Sequence, residues 1–148
     1  MAGPLHEEQI IHFKSYGFLI VRHVLNPGLL ARARARLWDA AAQSMRRDDP
    51  ASWVGPIRPE EEDESKGNYR KGFRWQYRTI GSEDWMVQLL PRDPTIWAMT
   101  QQLLGEGEVL EPEGVRGIYC TLPSGDHDRG ANGCHVDAHP FHLGVVAY

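Results

Sequence analysis

Cysteine is scarce in this chain: Cys120 and Cys134 are the two among 148 residues, enough for one disulfide at most. Such a count does not build the disulfide framework of a small secreted scaffold. The stretch from Met1 to Glu8 is polar and acidic, not basic and then apolar, so it lacks a signal-peptide pattern. The expectation is a cytoplasmic protein with reduced thiols. No apolar run approaches the roughly 20 residues that span a bilayer, and no membrane is expected as a partner. Positive charge is not in excess either. Sixteen Lys and Arg against 20 Asp and Glu leave a net charge of −4, which argues against nucleic acid or an anionic membrane as the main partner. Repeats are missing, and the one biased tract is the acidic run from Glu60 to Glu64.

What is present suits one globular domain. Hydrophobic residues at 41% and charged residues at 24% are ordinary values, and a chain of this length buries about 70% of its unfolded surface. Glu7 to Tyr16 reads as a helix ended by Gly17, followed by an apolar strand from Phe18 to Val24. Asn26 and Pro27 supply an N-cap and a first helical position. The helix they start is expected to run to about Arg47, with Leu30, Ala33, Leu37, Ala41, Ser44 and Met45 on one face. Arg34 intrudes on that face, and Arg32 and Arg36 lie on the wet side. From Asp48 to Asp84 the pattern dissolves into Pro, Gly and charge, apart from an aromatic strand-like island around Phe73 to Ile80.

Asp93-Pro94 opens another helix, apolar at Ile96, Trp97, Met99, Leu103 and Leu104, with Gly105 past its end. The character then turns to β: a short Val109-Leu110, a strand from Val115 to Leu122, a Gly- and Asp-rich loop from Ser124 to Gly133, and a final strand from His142 to Tyr148. An apolar strand with nothing after it to pair or cover it is rare in natural domains. The sequence is therefore expected to be cut in mid-fold. Trp38, Trp97 and Met99 are expected in the core, and Trp53 and Trp85 are expected to pin the long loop.

The most informative stretch is His135-Val136-Asp137, within Gly133 to His142. In extended backbone the imidazole and the carboxylate point the same way. They offer one nitrogen and one anionic oxygen to a divalent metal, two corners of the 2-His-1-carboxylate face of non-haem iron sites. The bland alternative is a turn pair that shares a loop with other histidines. His139 and His142 are possible surrogate ligands, yet Pro140 breaks the alternation between them and a polar role suits them better. His127 is expected to be solvated. Cys134 is a potential soft ligand, although a bystander thiol is the commoner outcome.

Three stretches together resemble the N-terminal part of the phytanoyl-CoA dioxygenase family, a branch of the iron(II)/2-oxoglutarate-dependent oxygenases. Glu7-Glu8-Gln9-Ile10 through Tyr16-Gly17-Phe18-Leu19-Ile20-Val21-Arg22 resembles the family's opening helix and Gly-Phe-aliphatic strand. Leu25-Asn26-Pro27 with its helix resembles the second element, and His135-Val136-Asp137-Ala138-His139-Pro140 the first metal-binding segment. The distal histidine and the 2-oxoglutarate-anchoring arginine of that family would fall beyond residue 148.

The resemblance implies an α+β fold, N-terminal helices packed on a partial double-stranded β-helix (jelly roll). Residues 1–107 would form a mainly helical region with the long loop 48–84, and residues 108–148 the first jelly-roll strands, all within one incomplete oxygenase domain. A full jelly roll needs about eight strands, and four or five can be counted here. The implied activity is a dioxygenase or hydroxylase using Fe(II) and 2-oxoglutarate with O2 as co-substrate, inactive as this chain alone. His135 and Asp137 would be metal ligands; Asp137 disfavours halogenation, since halogenating relatives vacate that position.

Tyr119 and Thr121 share one face of their strand and carry hydroxyls suited to the 2-oxoglutarate carboxylate; Arg116 replaces them if the parity is reversed. The basic-aromatic island of Arg74, Trp75 and Arg78 is the candidate for contacting an anionic or polar small-molecule substrate. Two rivals remain: a non-catalytic interaction module that completes its sheet as a homo-oligomer across an open edge, and a zinc site of His135, Asp137 and His139 or His142.

Overall fold

The computed structural model describes residues 3–107, 109–125 and 143–147. Its architecture is α+β. The described elements are helices α1 (Glu7–Tyr16), α2 (Pro27–Trp38), α3 (Asp84–Leu89) and α4 (Pro94–Leu104), with strands β1 (Asn68–Lys71), β2 (Arg74–Tyr77) and β3 (Ile118–Thr121). The strands form one antiparallel sheet in the order β1-β2-β3. Among the described residues no helix is long and apolar enough to cross a membrane.

Local chemistry explains where the helices begin. Glu7 and Glu8 place negative charge in the first turn of α1, where the helix dipole favours it. Gln9 reaches back to accept from the His6 N–H at 2.9 Å, and Gly17 closes the helix at φ 78°. In α2 the Asn26 side chain accepts from the N–H groups of Gly28 and Leu29 at 2.9 and 3.1 Å, ahead of Pro27. Asp93 does the same for α4, accepting from Thr95 and Ile96 at 2.9 and 3.1 Å. An Asn26→Ala variant is expected to lose about 1 kcal/mol; an unchanged thermal midpoint would mean that the cap contributes nothing.

Helix α2 is shorter than its periodicity suggests, stopping at Trp38 and not near Arg47. Beyond it the Ala40 carbonyl accepts from Arg70 Nη1 at 2.8 Å and Asn68 Nδ2 at 3.2 Å. The Ser44 N–H donates to Glu61 at 2.7 Å. Partners from β1 and the acidic run thus replace the next helical turn. Ala42 is still buried, so apolar spacing persisted where helix did not. Arg32 is exposed and Arg36 half-buried, in keeping with the wet side expected for them. Arg32 lies 4.4 Å from the centre of the Trp85 ring, and Arg36 donates to the Tyr77 hydroxyl at 3.2 Å and pairs with Asp39 and Glu83. The stripe facing the core runs through Leu29, Ala33 and Leu37.

The region read as a long loop contains a hairpin. Lys71 pairs with Arg74 across the two-residue turn Gly72-Phe73. Gly72 has φ 56°, and Phe73 is not among the residues of positive φ. That combination fits a II′ turn, whose first central position favours glycine and whose twist matches the strands. The six residues of α3 follow, burying Trp85, Met86, Val87 and Leu89. Two packed clusters lie against the sheet. One gathers Ala33, Tyr77, Ile80, Trp85, Met86 and Leu89; the other gathers Ala42, Ile57, Trp75 and Leu122. Trp53 does hold its loop, its N–H donating to the Arg46 carbonyl at 2.7 Å and its ring 5.2 Å from that of Trp38.

Three expected strands are not strands. Residues 18–24 and 143–147 carry no ladder, nor do Val109 and Leu110. Ile20, Leu110 and Val146 are 71, 91 and 68% exposed. Apolar, β-prone residues form a strand only when a second strand supplies the hydrogen bonds, and none of the described residues pairs with them. Strand β3 occupies the second half of the expected Val115 to Leu122 segment.

The Glu61 carboxyl sits below its ordinary range, chiefly because the Ser44 hydroxyl donates to it, with burial opposing. A depressed carboxylate stabilises the fold at neutral pH and loses that contribution as pH falls through the folded-state value. Ser44→Ala is therefore expected to lower the urea midpoint at pH 7 and to approach the parent protein in acid. A gap that widens in acid contradicts this linkage.

Candidate functional site

The side of the sheet away from the packed clusters is built by strand alternation. Trp75 and Tyr77 of β2 are buried, whereas Arg74 is exposed and Gln76 half-buried. Ile118 and Cys120 of β3 turn inward, and Tyr119 and Thr121 are exposed. Arg116, also exposed, lies before the strand. The register joins these residues into two rows: Lys71, Arg74 and Thr121, then Tyr69, Gln76 and Tyr119. Strands are about 4.8 Å apart and alternate residues about 7 Å apart along a strand, so the six positions cover a patch of about 10 by 7 Å.

Arg78 flanks this patch. Its guanidinium lies 5.8 Å from the centre of the Tyr119 ring and donates to the Gln76 amide oxygen. Lys71 is paired with Glu64, and that hydrogen bond holds its ammonium above the ordinary lysine range, so it stays charged at neutral pH. The Arg74 side chain has no hydrogen-bond or ion-pair partner among the described residues. Chemically the face offers cations, two phenol rings, an amide and a hydroxyl, which suits an anion.

The structure thus brings together Tyr119, Thr121, Arg74 and Arg78, two groups that the sequence presented separately. It does not bring Trp75 with them. Trp75 is 1% exposed on the opposite face, and its N–H donates to Asn68 Oδ1 at 2.9 Å. Its place in the basic-aromatic island is corrected to a packing role, because strand alternation turns neighbours to opposite faces. Lys71 and Gln76 belong to the same basic-aromatic stretch, Arg70 to Arg78, and Tyr69 lies just outside it; the turn signal at Gly72 pairs Lys71 with Arg74 and Tyr69 with Gln76.

His127, Cys134, His135, Asp137, His139 and His142 lie outside the described residues. Among the described residues no group of three His, Cys, Asp or Glu side chains could hold a metal ion. Cys120 is partly buried, which pushes its thiol up. A separate cleft of about 710 Å³ is lined by residues including Ser44, Glu61, Asp63 and Arg70. Its polar groups largely satisfy one another: Glu61 accepts from Ser44, and Arg70 donates to the carbonyls of Ala40 and Glu61. That cleft is a structural joint between the end of α2 and β1. Compared with protein-family models, curated proteins and solved structures, the chain matches none significantly.

Proposed function

We propose that this chain is the N-terminal portion of a non-haem iron(II)/2-oxoglutarate-dependent dioxygenase, a hydroxylase of the phytanoyl-CoA dioxygenase family. One observation carries the reading: His135-Val136-Asp137 stands after the Glu7 to Tyr16 helix, the Gly17-Phe18 aliphatic run and the Asn26-Pro27 helix start, in the order the family uses. A sheet packed by helices on one side and, among the described residues, uncovered on the other supports it, since a partial double-stranded β-helix needs both kinds of face.

The donor set fits the cofactors. An imidazole nitrogen and a carboxylate oxygen are ligands that iron(II) accepts, so His135 and Asp137 would hold the metal. The Tyr119 and Thr121 hydroxyls, exposed on one face, would donate to a carboxylate of 2-oxoglutarate. When bound, these cofactors supply oxidation of a substrate C–H bond with O2. The chain's own work is to keep metal positions open, orient the substrate and exclude water. Arg74 and Arg78 would take the anionic or polar group of a small-molecule substrate.

Anaerobic titration of a version extended past Tyr148 with ferrous ion and 2-oxoglutarate tests the reading. A weak visible charge-transfer band is expected, and it should vanish in Asp137→Ala. The extended version should consume 2-oxoglutarate and the 148-residue chain should not. A flat spectrum, or robust turnover by the shorter chain, defeats the proposal. A second reading rests on β3, whose outer edge has no strand partner among the described residues: a non-catalytic module that completes its sheet in a homo-oligomer. Concentration-dependent dimerisation without metal uptake would favour it.

A further inference from the structure

We infer that the open sheet face is a binding surface for an aromatic anion, a carboxylate or phosphate carried on a flat apolar body. The inference is independent of the oxygenase reading: on this face Tyr119 and Thr121 would serve an aromatic anion in place of 2-oxoglutarate, and no metal is needed.

The first observation is a cost that no described residue offsets. Lys71 and Arg74 are directly opposite each other across the hairpin, and like charges in that position destabilise a sheet. Lys71 is compensated by Glu64. Arg74 is not: it is exposed, and no described acid or carbonyl receives its guanidinium. An anion above Arg74 would relieve the repulsion, and the guanidinium presents a planar fork that carboxylates and phosphates match with two parallel hydrogen bonds. Thr121, next across the sheet from Arg74, adds a hydroxyl donor at the same row.

The second observation is the composition of the adjoining row. Tyr69, Gln76 and Tyr119 lie in register, so a flat group resting over Gln76 has a phenol ring on either side. Arg78 holds the Gln76 amide oxygen and sits against the Tyr119 ring, which fixes that row before any ligand arrives. The rows are about 7 Å apart along the strands, and the long Arg74 side chain can lean across that gap to a carboxylate on a ring resting over the second row. A bare dicarboxylate would use the first row alone, and a neutral aromatic the second alone. The two rows together select a molecule carrying both features.

The test uses the 148-residue chain in chelator-treated buffer, with naphthoate as the probe followed by its fluorescence. Succinate supplies charge without a ring, and naphthalenemethanol supplies the ring without charge. Saturable naphthoate binding is expected, at least about fivefold tighter than either comparison compound. Arg74→Gln should weaken it by about tenfold, and Tyr119→Ala by about fivefold. Arg34→Gln, an exposed change on α2, should leave it unaltered. Absence of saturable binding, equal affinity for the neutral compound, or full affinity in Arg74→Gln each overturns the inference. Since Arg74 is exposed, its replacement leaves folding intact, and circular dichroism of each variant checks this. Loss of naphthoate binding alongside an intact ferrous band would reject this inference and leave the oxygenase reading standing.

Discussion

Trp75→Ala is expected to destabilise the fold by about 3–5 kcal/mol. Trp75 is 1% exposed, one of the three largest side chains that are fully buried. It packs with Ala42, Ile57 and Leu122 and is flanked by Leu37, Met45 and Cys120. Truncation leaves a cavity that three different segments would have to collapse to fill: the turn after α2, the Ile57 loop and the end of β3. It also frees Asn68, whose side chain accepts from the indole N–H and donates to the Ala40 carbonyl. For a domain of ordinary stability, about 5–15 kcal/mol, this is a third or more of the total. Trp75→Phe keeps most of the packing and loses the hydrogen bond and a smaller part of the buried volume, so it should cost about 1–3 kcal/mol. Urea unfolding of the two variants checks the order; a Trp75→Ala midpoint close to that of the parent contradicts the assigned role. Because Arg74 and Gln76 flank Trp75 in β2, the alanine variant should also weaken anion binding at the open face.

The parts of the fold that the sequence revealed are those decided locally. Asn26-Pro27 and Asp93-Pro94 start helices because a side-chain oxygen and a proline act within one turn. Gly17 ends α1 through its own φ. The failures are elements decided at a distance. Phe18 to Val24 has strand composition, yet a strand is a relation between two segments, and no described segment pairs with it. Strand β1 reads Asn-Tyr-Arg-Lys and shows no apolar alternation, because Asn68 and Arg70 face inward to cap the Ala40 carbonyl. Helix α3 is too short and too uniformly buried to display a period. Helix α2 was overextended because Ala41 and Met45 reach the core from turns.

The site divides along the same line. The parity of Tyr119 and Thr121 follows from strand alternation alone, so their shared face was legible. That Arg74 lies opposite Thr121, and Gln76 opposite Tyr119, depends on the register between β2 and β3, which join across 40 residues of intervening chain. Trp75 was misread for want of that frame: an aromatic between two arginines resembles a recognition surface until the strand places it on the other side. The metal motif of His135 and Asp137 lies outside the described residues.

Gly117→Ala should be the second costly change, about 2–4 kcal/mol, summing backbone strain and a steric clash. Gly117 has φ 101°, and a Cβ there would lie 2.3 Å from the Tyr77 carbonyl oxygen and 2.8 Å from Arg78 Cα. Both obstacles are backbone atoms. Neither can retreat without opening the ladder at Tyr77 and Ile118, the first pair of β2 with β3. Gly107→Ala separates the two contributions: its φ is also positive, at 80°, but no atom lies within 4 Å of the added carbon. That variant should lose only the conformational part, about 1 kcal/mol. If the two substitutions shift the urea midpoint equally, steric contact with β2 is not what requires glycine at 117. If Gly117→Ala is the worse, β3 is held at its first residue by close backbone approach. Tyr119, two residues further on, then owes its place beside Arg78 to that contact, and the variant should lose anion binding along with stability.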